Sequence, residues 1–463
     1  MAKDINKNKI DYLLRLLGKS HLMEEDFEDF HQIYYTILRT MTRKAPIQMD
    51  VYESETTRAQ QKVEEAIRSI YLDVEIDLMT VTTTNCGGSK ASTDVIFPPL
   101  DVAKHENYCR MCLSSPLPGA FIGLDGNQCW MMYWLSNGHG MLKGVEGLPA
   151  DISEGISAKI SLFVIDEGRN GISSGPFQKG HVASVYAAVL ALIAIGDFKT
   201  LTNARKGLYD FFYKMKQKDG SFSMTVNGES DARSTYCVVV LSYLLNILDD
   251  KLVDHKTLQW LDLCQTYEGG FGGVPNTEAH GGYTYCALAA YYVLLGKEGS
   301  TPKEFLTSLR AHIDVDKLLS WLVHRQHLLE GSFDGRTNKL VDACYSFWVG
   351  ACFAMLEATL EITTLFNRES LKLYMIHCAQ GIEMGGFRDK PGKQADFYHT
   401  NYSLCGVSVL EHYFTLERNG SWANSFTTEI VDDTNVNTNP VNPIFGLPIL
   451  QVSACVKYFS ANV

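Results

Sequence analysis

The sequence predicts an all-α protein: an α/α toroid, with helical hairpins forming an inner and an outer ring. A unit recurs with a period on the order of 50 residues, the range of stacked or closed repeat arrays. Each unit has a small-residue turn and then a tyrosine. The turns are Gly171-Ile172-Ser173-Ser174-Gly175, Gly220-Ser221-Phe222, Gly269-Gly270-Phe271, Gly331-Ser332-Phe333 and Gly385-Gly386-Phe387; the tyrosines are Tyr186, Tyr236, Tyr285, Tyr345 and Tyr402. An amphipathic helix precedes each turn, and a helix apolar nearly all round follows each tyrosine. The second kind must be buried on every side, so it belongs inside. About five or six hairpins close such a ring, and the starts of the inner helices then converge on one mouth.

In chain order, residues 1–100 read as a helical N-terminal extension and 101–463 as the toroid. Within the extension, residues 27–38 show a short helical pattern. Residues 56–70 give an amphipathic helix with Val63, Ala66 and Ile67 on one face. Residues 81–99, with a threonine run, Gly87-Gly88 and Pro98-Pro99, read as a mobile loop. The predicted outer helices cover 208–215, 258–264, 318–325 and 371–378. The inner ones carry runs such as Cys237-Val238-Val239-Val240-Leu241 and Cys286-Ala287-Leu288-Ala289-Ala290. The first turn is the degenerate one, with Ile172 and Ser174 taken to stand where glycine and phenylalanine are usual.

With 46% hydrophobic and 20% charged residues, the 463-residue chain suits a large core. No apolar run reaches the ~18 residues of a membrane span, and the polar start does not resemble a secretory signal. A net charge of -12 argues against nucleic acid as the main partner. Twelve scattered cysteines with no such signal point to reduced thiols and a cytoplasmic protein. Cys109-Arg110-Met111-Cys112 has no second pair and reads as two thiols on one helical turn.

The chemistry concentrates between Gly335 and Trp348. Arg336 and Lys339 lie three apart and can grip one anion together. Asp342 and Cys344 offer a hard and a soft metal ligand. His399 begins the next inner helix, where ring closure would set it beside them. Three protein ligands are the count of catalytic zinc, which leaves a position for a substrate thiol held as thiolate. Spacing alone leaves a zinc site and a coincidence of scattered residues both open. Arg233, His280, Arg336 and Lys339 precede the tyrosines at inner starts, where donors backed by helix N-termini suit a diphosphate. Arg233 could equally pair with Asp231 or Glu229, and His280 with Glu278. Trp130, Trp134, Tyr283, Cys286, Trp348 and Tyr402 line the same helices. They are either ordinary core or the wall of a lumen that an isoprenoid chain would fill, at about 0.8 kcal/mol per buried methylene.

Several motifs resemble the β subunit of protein farnesyltransferases, from Gln61 to near the C-terminus. They are Asn338-Lys339-Leu340-Val341-Asp342-Ala343-Cys344-Tyr345-Ser346-Phe347-Trp348, Gly385-Gly386-Phe387-Arg388-Asp389-Lys390 with Asp396-Phe397-Tyr398-His399, Glu278-Ala279-His280-Gly281-Gly282-Tyr283, and Ala232-Arg233-Ser234-Thr235-Tyr236-Cys237. The resemblance implies zinc at Asp342, Cys344 and His399, and a diphosphate pocket of His280, Arg336, Lys339 and Tyr345. It also implies an isoprenoid site flanked by Arg233, Tyr236, Tyr283, Cys286 and Trp348, and it adds Gly282 and Tyr398 to the substrate-binding set. The implied partners are a prenyltransferase α subunit, farnesyl diphosphate and proteins ending Cys-a-a-X. Trp130 matches the bulky floor that limits chain length, with Tyr402 beside it. Asp389 matches the carboxylate that holds magnesium on the diphosphate, chemistry suited to a hard oxygen ligand. The alternatives are a type I geranylgeranyltransferase β subunit, a terpene cyclase, and a non-catalytic toroid that binds lipidated proteins.

Overall fold

The computed structural model describes residues 54–84, 100–296, 299–417, 425–431 and 436–461. The helical pattern at 27–38 lies outside them.

Six inner helical segments form the ring among the described residues: Gln128–Lys143, Val182–Ala194, Ala232–Leu244, Gly281–Leu295, Tyr345–Trp348 continuing as Gly350–Leu360, and Phe397–Glu411. Each packs on the next, and the sixth packs on the first. Their all-round apolarity has the expected consequence. In Val182–Ala194 every residue but Ala183 is buried. The outer Phe198–Met215 buries one stripe only, through Leu201, Ala204, Leu208, Phe211, Phe212 and Met215. The remaining outer helices are Val102–Ser114, Ala150–Phe163, His255–Cys264, Pro302–Arg310, Val315–Val323 and Arg368–Leu373, the last continuing to Ala379 as a π-helix. Cys109 and Cys112 share the Val102–Ser114 helix.

Glycine at the repeat turns lets each turn dock on the next outer helix. Gly269 has φ +109°, and a Cβ there would stand 2.1 Å from the Lys317 carbonyl oxygen. Gly385, φ +80°, meets the Lys104 carbonyl in the same way and so joins the last turn to the first outer helix. After each turn one residue makes a bridge back to the outer helix end: Val164 with Ile172, Lys216 with Phe222, Gln265 with Phe271, Gln326 with Phe333, and Gln380 with Phe387. Ile172 therefore occupies the phenylalanine position, fully buried like the others. This corrects the expected alignment of the first turn by two residues: isoleucine, not Ser174, fills that core slot.

Two features depart from the sequence reading. The N-terminal helix runs Glu55–Thr84, so 81–84 are helical rather than loop. It is tied to the toroid through Glu330, which accepts from Gln60 Nε2 at 2.6 Å and, by its carbonyl, from Tyr71 at 2.7 Å. The C-terminal region adds two antiparallel ribbons, His412–Leu416 with Phe426–Ile430 and Val441–Asn442 with Leu447–Pro448. The turn of the second ribbon plugs the lumen. The Ile444 carbonyl accepts from Tyr236 at 2.8 Å and Tyr285 at 2.7 Å, and the Gly446 carbonyl accepts from Asn137 at 2.8 Å. Part of the filler that the ring needs is thus its own chain. No helix among the described residues is long and apolar enough to cross a membrane.

Candidate active site

The inner helices begin with polar caps because their first N–H groups have no intrahelical acceptor. Asp231 caps Ala232–Leu244, His280 caps Gly281–Leu295, and Asp396 caps Phe397–Glu411. Asp342 accepts from the Cys344 N–H at 2.9 Å, just ahead of Tyr345. The caps that hold the fold are therefore also the polar groups of the mouth.

Asp342, Cys344 and His399 come together as the ring requires. One ligand atom from each lies within 4.8 Å of the others. His399 Nε2 is 3.1 Å from Asp342 Oδ1, and its Nδ1 is 2.6 Å from Asp396 Oδ2. The Asp396 bond fixes the ring and directs Nε2 at the cluster, as outer partners of metal-binding histidines do. Burial pulls the His399 imidazole down, but hydrogen bonds to Asp342 and Asp396 outweigh it and carry it up to about 9. Burial, reinforced by the charge of Asp342, pushes the Cys344 thiol well up. One soft and two harder donors, with a buried thiol and a clustered acid, fit a zinc ion.

Beside the cluster opens a cavity of about 930 Å³. Trp130, Trp134, Tyr236, Tyr283, Cys286, Trp348, Tyr398 and Tyr402 line it, with Gly282 at the mouth. Trp130 packs on Trp134 at 5.4 Å, Tyr186 at 5.8 Å and Tyr133 at 6.3 Å between ring centroids. Tyr402 lines the same cavity as Trp130 and packs on Trp348 at 4.3 Å and Tyr398 at 4.9 Å. The indole N–H of Trp348 donates to the Tyr398 hydroxyl at 2.9 Å. Tyr186 also lines the cavity. As the tyrosine one repeat before Tyr236, it could have been named from the repeat alone.

The cationic rim is more paired than expected. Arg233 bonds Asp231 at 2.5 Å, as its local alternative anticipated, and Arg336 bonds Glu278 at 2.6 Å. His280 takes a different partner from the one considered: its Nε2 lies 3.0 Å from the Tyr345 hydroxyl, while its Nδ1 accepts from the Gly282 N–H. Burial, then Arg336, lowers the His280 pKa and so favours the neutral ring; with Nδ1 accepting from the Gly282 N–H, the proton belongs on Nε2. Gly335 makes room for Tyr345; a Cβ there would stand 2.0 Å from the phenol oxygen. Arg233, His280, Arg336 and Tyr345 line the cavity. Lys339 does not join them: it is exposed, and its N–H closes a turn onto the Arg336 carbonyl at 3.3 Å. Asp389 is also off the wall. Its carbonyl accepts from the Ala343 N–H at 3.0 Å, and its carboxylate pairs with Lys390. Burial, then Asp342, raises its pKa.

A closed α/α ring with a polar mouth and an aromatic well is a prenyltransferase architecture. The prenyltransferase α-α toroid domain matches residues 100–447. The chain is 33% identical over 458 residues to the protein farnesyltransferase subunit β of Pyricularia oryzae, covering 88% of this chain and 87% of that one. It is 36% identical over 368 residues to the Schizosaccharomyces pombe subunit, covering 78% and 90%. A solved Candida albicans protein geranylgeranyltransferase-I, complexed with GGPP, shares the fold at TM-score 0.62 and 20% identity over 77% of this chain and 98% of that one. The chain belongs to the family of protein farnesyltransferase β subunits.

Proposed function

We propose that this chain is the catalytic subunit of a heterodimer that transfers farnesyl from farnesyl diphosphate to the cysteine of proteins ending Cys-a-a-X. One observation carries the reading: three metal-ligating groups lie within 4.8 Å of one another, and Cys344 and His399 directly adjoin Tyr345 and Tyr398 on the wall of an aromatic cavity of about 930 Å³. Asp342, Cys344 and His399 would hold a zinc ion, which when bound would supply Lewis acidity to lower the pKa of a substrate thiol.

The rest is done by side chains of this chain. The aromatic well takes the isoprenoid and excludes water from its reacting end. Arg336, His280 and Tyr345 face the diphosphate, and Lys339 adds positive charge from the exposed turn. Because Nε2 of neutral His280 donates to the Tyr345 oxygen, the phenol proton is free for a diphosphate oxygen. As the C1–oxygen bond breaks and carbon–sulfur bonding begins, these donors stabilise charge on the leaving group. Asp389, once Lys390 releases it, would be the carboxylate to hold a magnesium ion, which would add positive charge near the diphosphate. An α subunit completes the peptide site.

The test is co-expression with α-type prenyltransferase subunits and assay of farnesyl and geranylgeranyl diphosphates against a panel of Cys-a-a-X peptides. Farnesyl transfer with one zinc per heterodimer is expected. Preference for the twenty-carbon donor would support the geranylgeranyl alternative. Tight binding of prenylated peptide, with no zinc and no transfer, would leave only a lipid-binding toroid.

A further inference from the structure

The two arginines of the cavity are held by carboxylates in different ways. Asp231 is bound into the helix start. It accepts from the Arg233 N–H at 2.8 Å and the Ser234 N–H at 3.3 Å while gripping the Arg233 guanidinium at 2.5 Å. Its side chain is 9% exposed. These capping bonds hold the Asp231 carboxylate in place beside the Arg233 guanidinium. Glu278 has no such second duty. Its carboxylate is 47% exposed and makes one bond, to Arg336 at 2.6 Å, across from another repeat. The loop presenting it is braced: Thr277 Oγ1 donates to the Val274 carbonyl at 2.7 Å, and the Ala279 N–H donates to Glu268 at 3.0 Å.

We propose that Glu278 is a positioning residue that parks Arg336 at the cavity rim and yields it to the incoming diphosphate. This rests on the reading that the rim takes an isoprenoid diphosphate. An exposed pair contributes little, while a diphosphate offers more charge and several acceptor oxygens, so the exchange runs toward the ligand. When the pyrophosphate product forms, Glu278 competes for the same guanidinium and repels the departing polyanion, which speeds release. Arg233 stays neutralised by Asp231 throughout and takes no part in the exchange.

The experiment uses the heterodimer with its α-type partner, and inorganic pyrophosphate as the probe. Its affinity is measured by competition with a fluorescent isoprenoid diphosphate for the unmodified enzyme, Glu278→Gln, Arg336→Gln and the double variant. Glu278→Gln is expected to bind pyrophosphate roughly three- to tenfold tighter. The gain should vanish in the Arg336→Gln background, which a merely structural role would not produce. Unchanged or weaker binding by Glu278→Gln would overturn the proposal, as would the same gain without Arg336. An unmodified heterodimer that binds neither pyrophosphate nor the isoprenoid diphosphate would remove the proposed function as well.

Discussion

Replacing Trp130 with threonine should lengthen the isoprenoid that the enzyme prefers. The indole fills the well against Trp134, Tyr186 and Tyr133 at centroid distances of 5.4, 5.8 and 6.3 Å. One further isoprene unit carries five carbons, each contributing about 0.8 kcal/mol when buried, so the ceiling for admitting it is about 4 kcal/mol. That is about a thousandfold. The farnesyl chain loses apolar wall contact in the same change, at about 0.8 kcal/mol for each methylene-sized contact left unburied. The ratio of kcat/KM for geranylgeranyl over farnesyl diphosphate should therefore rise by about 10²–10³. The assay is transfer to one peptide from each donor under identical conditions, with circular dichroism to show the fold kept. An unchanged ratio in a folded Trp130→Thr enzyme would refute Trp130 as the limit on chain length.

Three further predictions concern other parts of the molecule. Arg336→Gln should raise KM for farnesyl diphosphate more than KM for peptide, and flatten the salt dependence of the former; equal effects on both would count against a diphosphate role. Burial pulls His327 down, but its bonds to Asp334 at 3.0 Å and to Glu330 carry it up to about 9. Its folded pKa exceeds the usual value of about 6.5, so its stabilisation is full below that pH and disappears as pH rises through about 9. Thermal melts of His327→Gln should lose that pH dependence; a variant melting in parallel with the parent would contradict it. Tyr285→Phe removes one of two donors to the Ile444 carbonyl and should cost about 1 kcal/mol in denaturant unfolding, because Tyr236 still satisfies the oxygen. A loss of several kcal/mol would mean that the plug depends on Tyr285 far more than this bond implies.

The ring was legible because repetition is a one-dimensional signal. Apolar runs such as 237–241 can only be buried, and identical hairpins have few ways to stack. The Asp342–Cys344–His399 meeting followed from ring closure, since both segments start neighbouring inner helices. The C-terminal plug was not legible. Ile444 and Gly446 contribute backbone carbonyls, which carry no residue code, to partners hundreds of residues earlier. The slip at the first turn has a similar origin: isoleucine and phenylalanine fill the same core slot, and only the bridge to Val164 identifies the equivalent residue. The rim pairs divide the same way. Asp231 and Arg233 are two residues apart and readable, whereas Glu278 reaches Arg336 from the start of the preceding inner helix, 58 residues earlier, and the choice of that partner over His280 is set by side-chain placement.

The most direct test of the central claim is cobalt substitution of the purified heterodimer. The account predicts one Co²⁺ bound per heterodimer with a sulfur-to-metal charge-transfer band, and loss of that band in a folded Cys344→Ala variant. A band that persists without the Cys344 sulfur would contradict it, as would full transfer activity in metal-free Cys344→Ala enzyme.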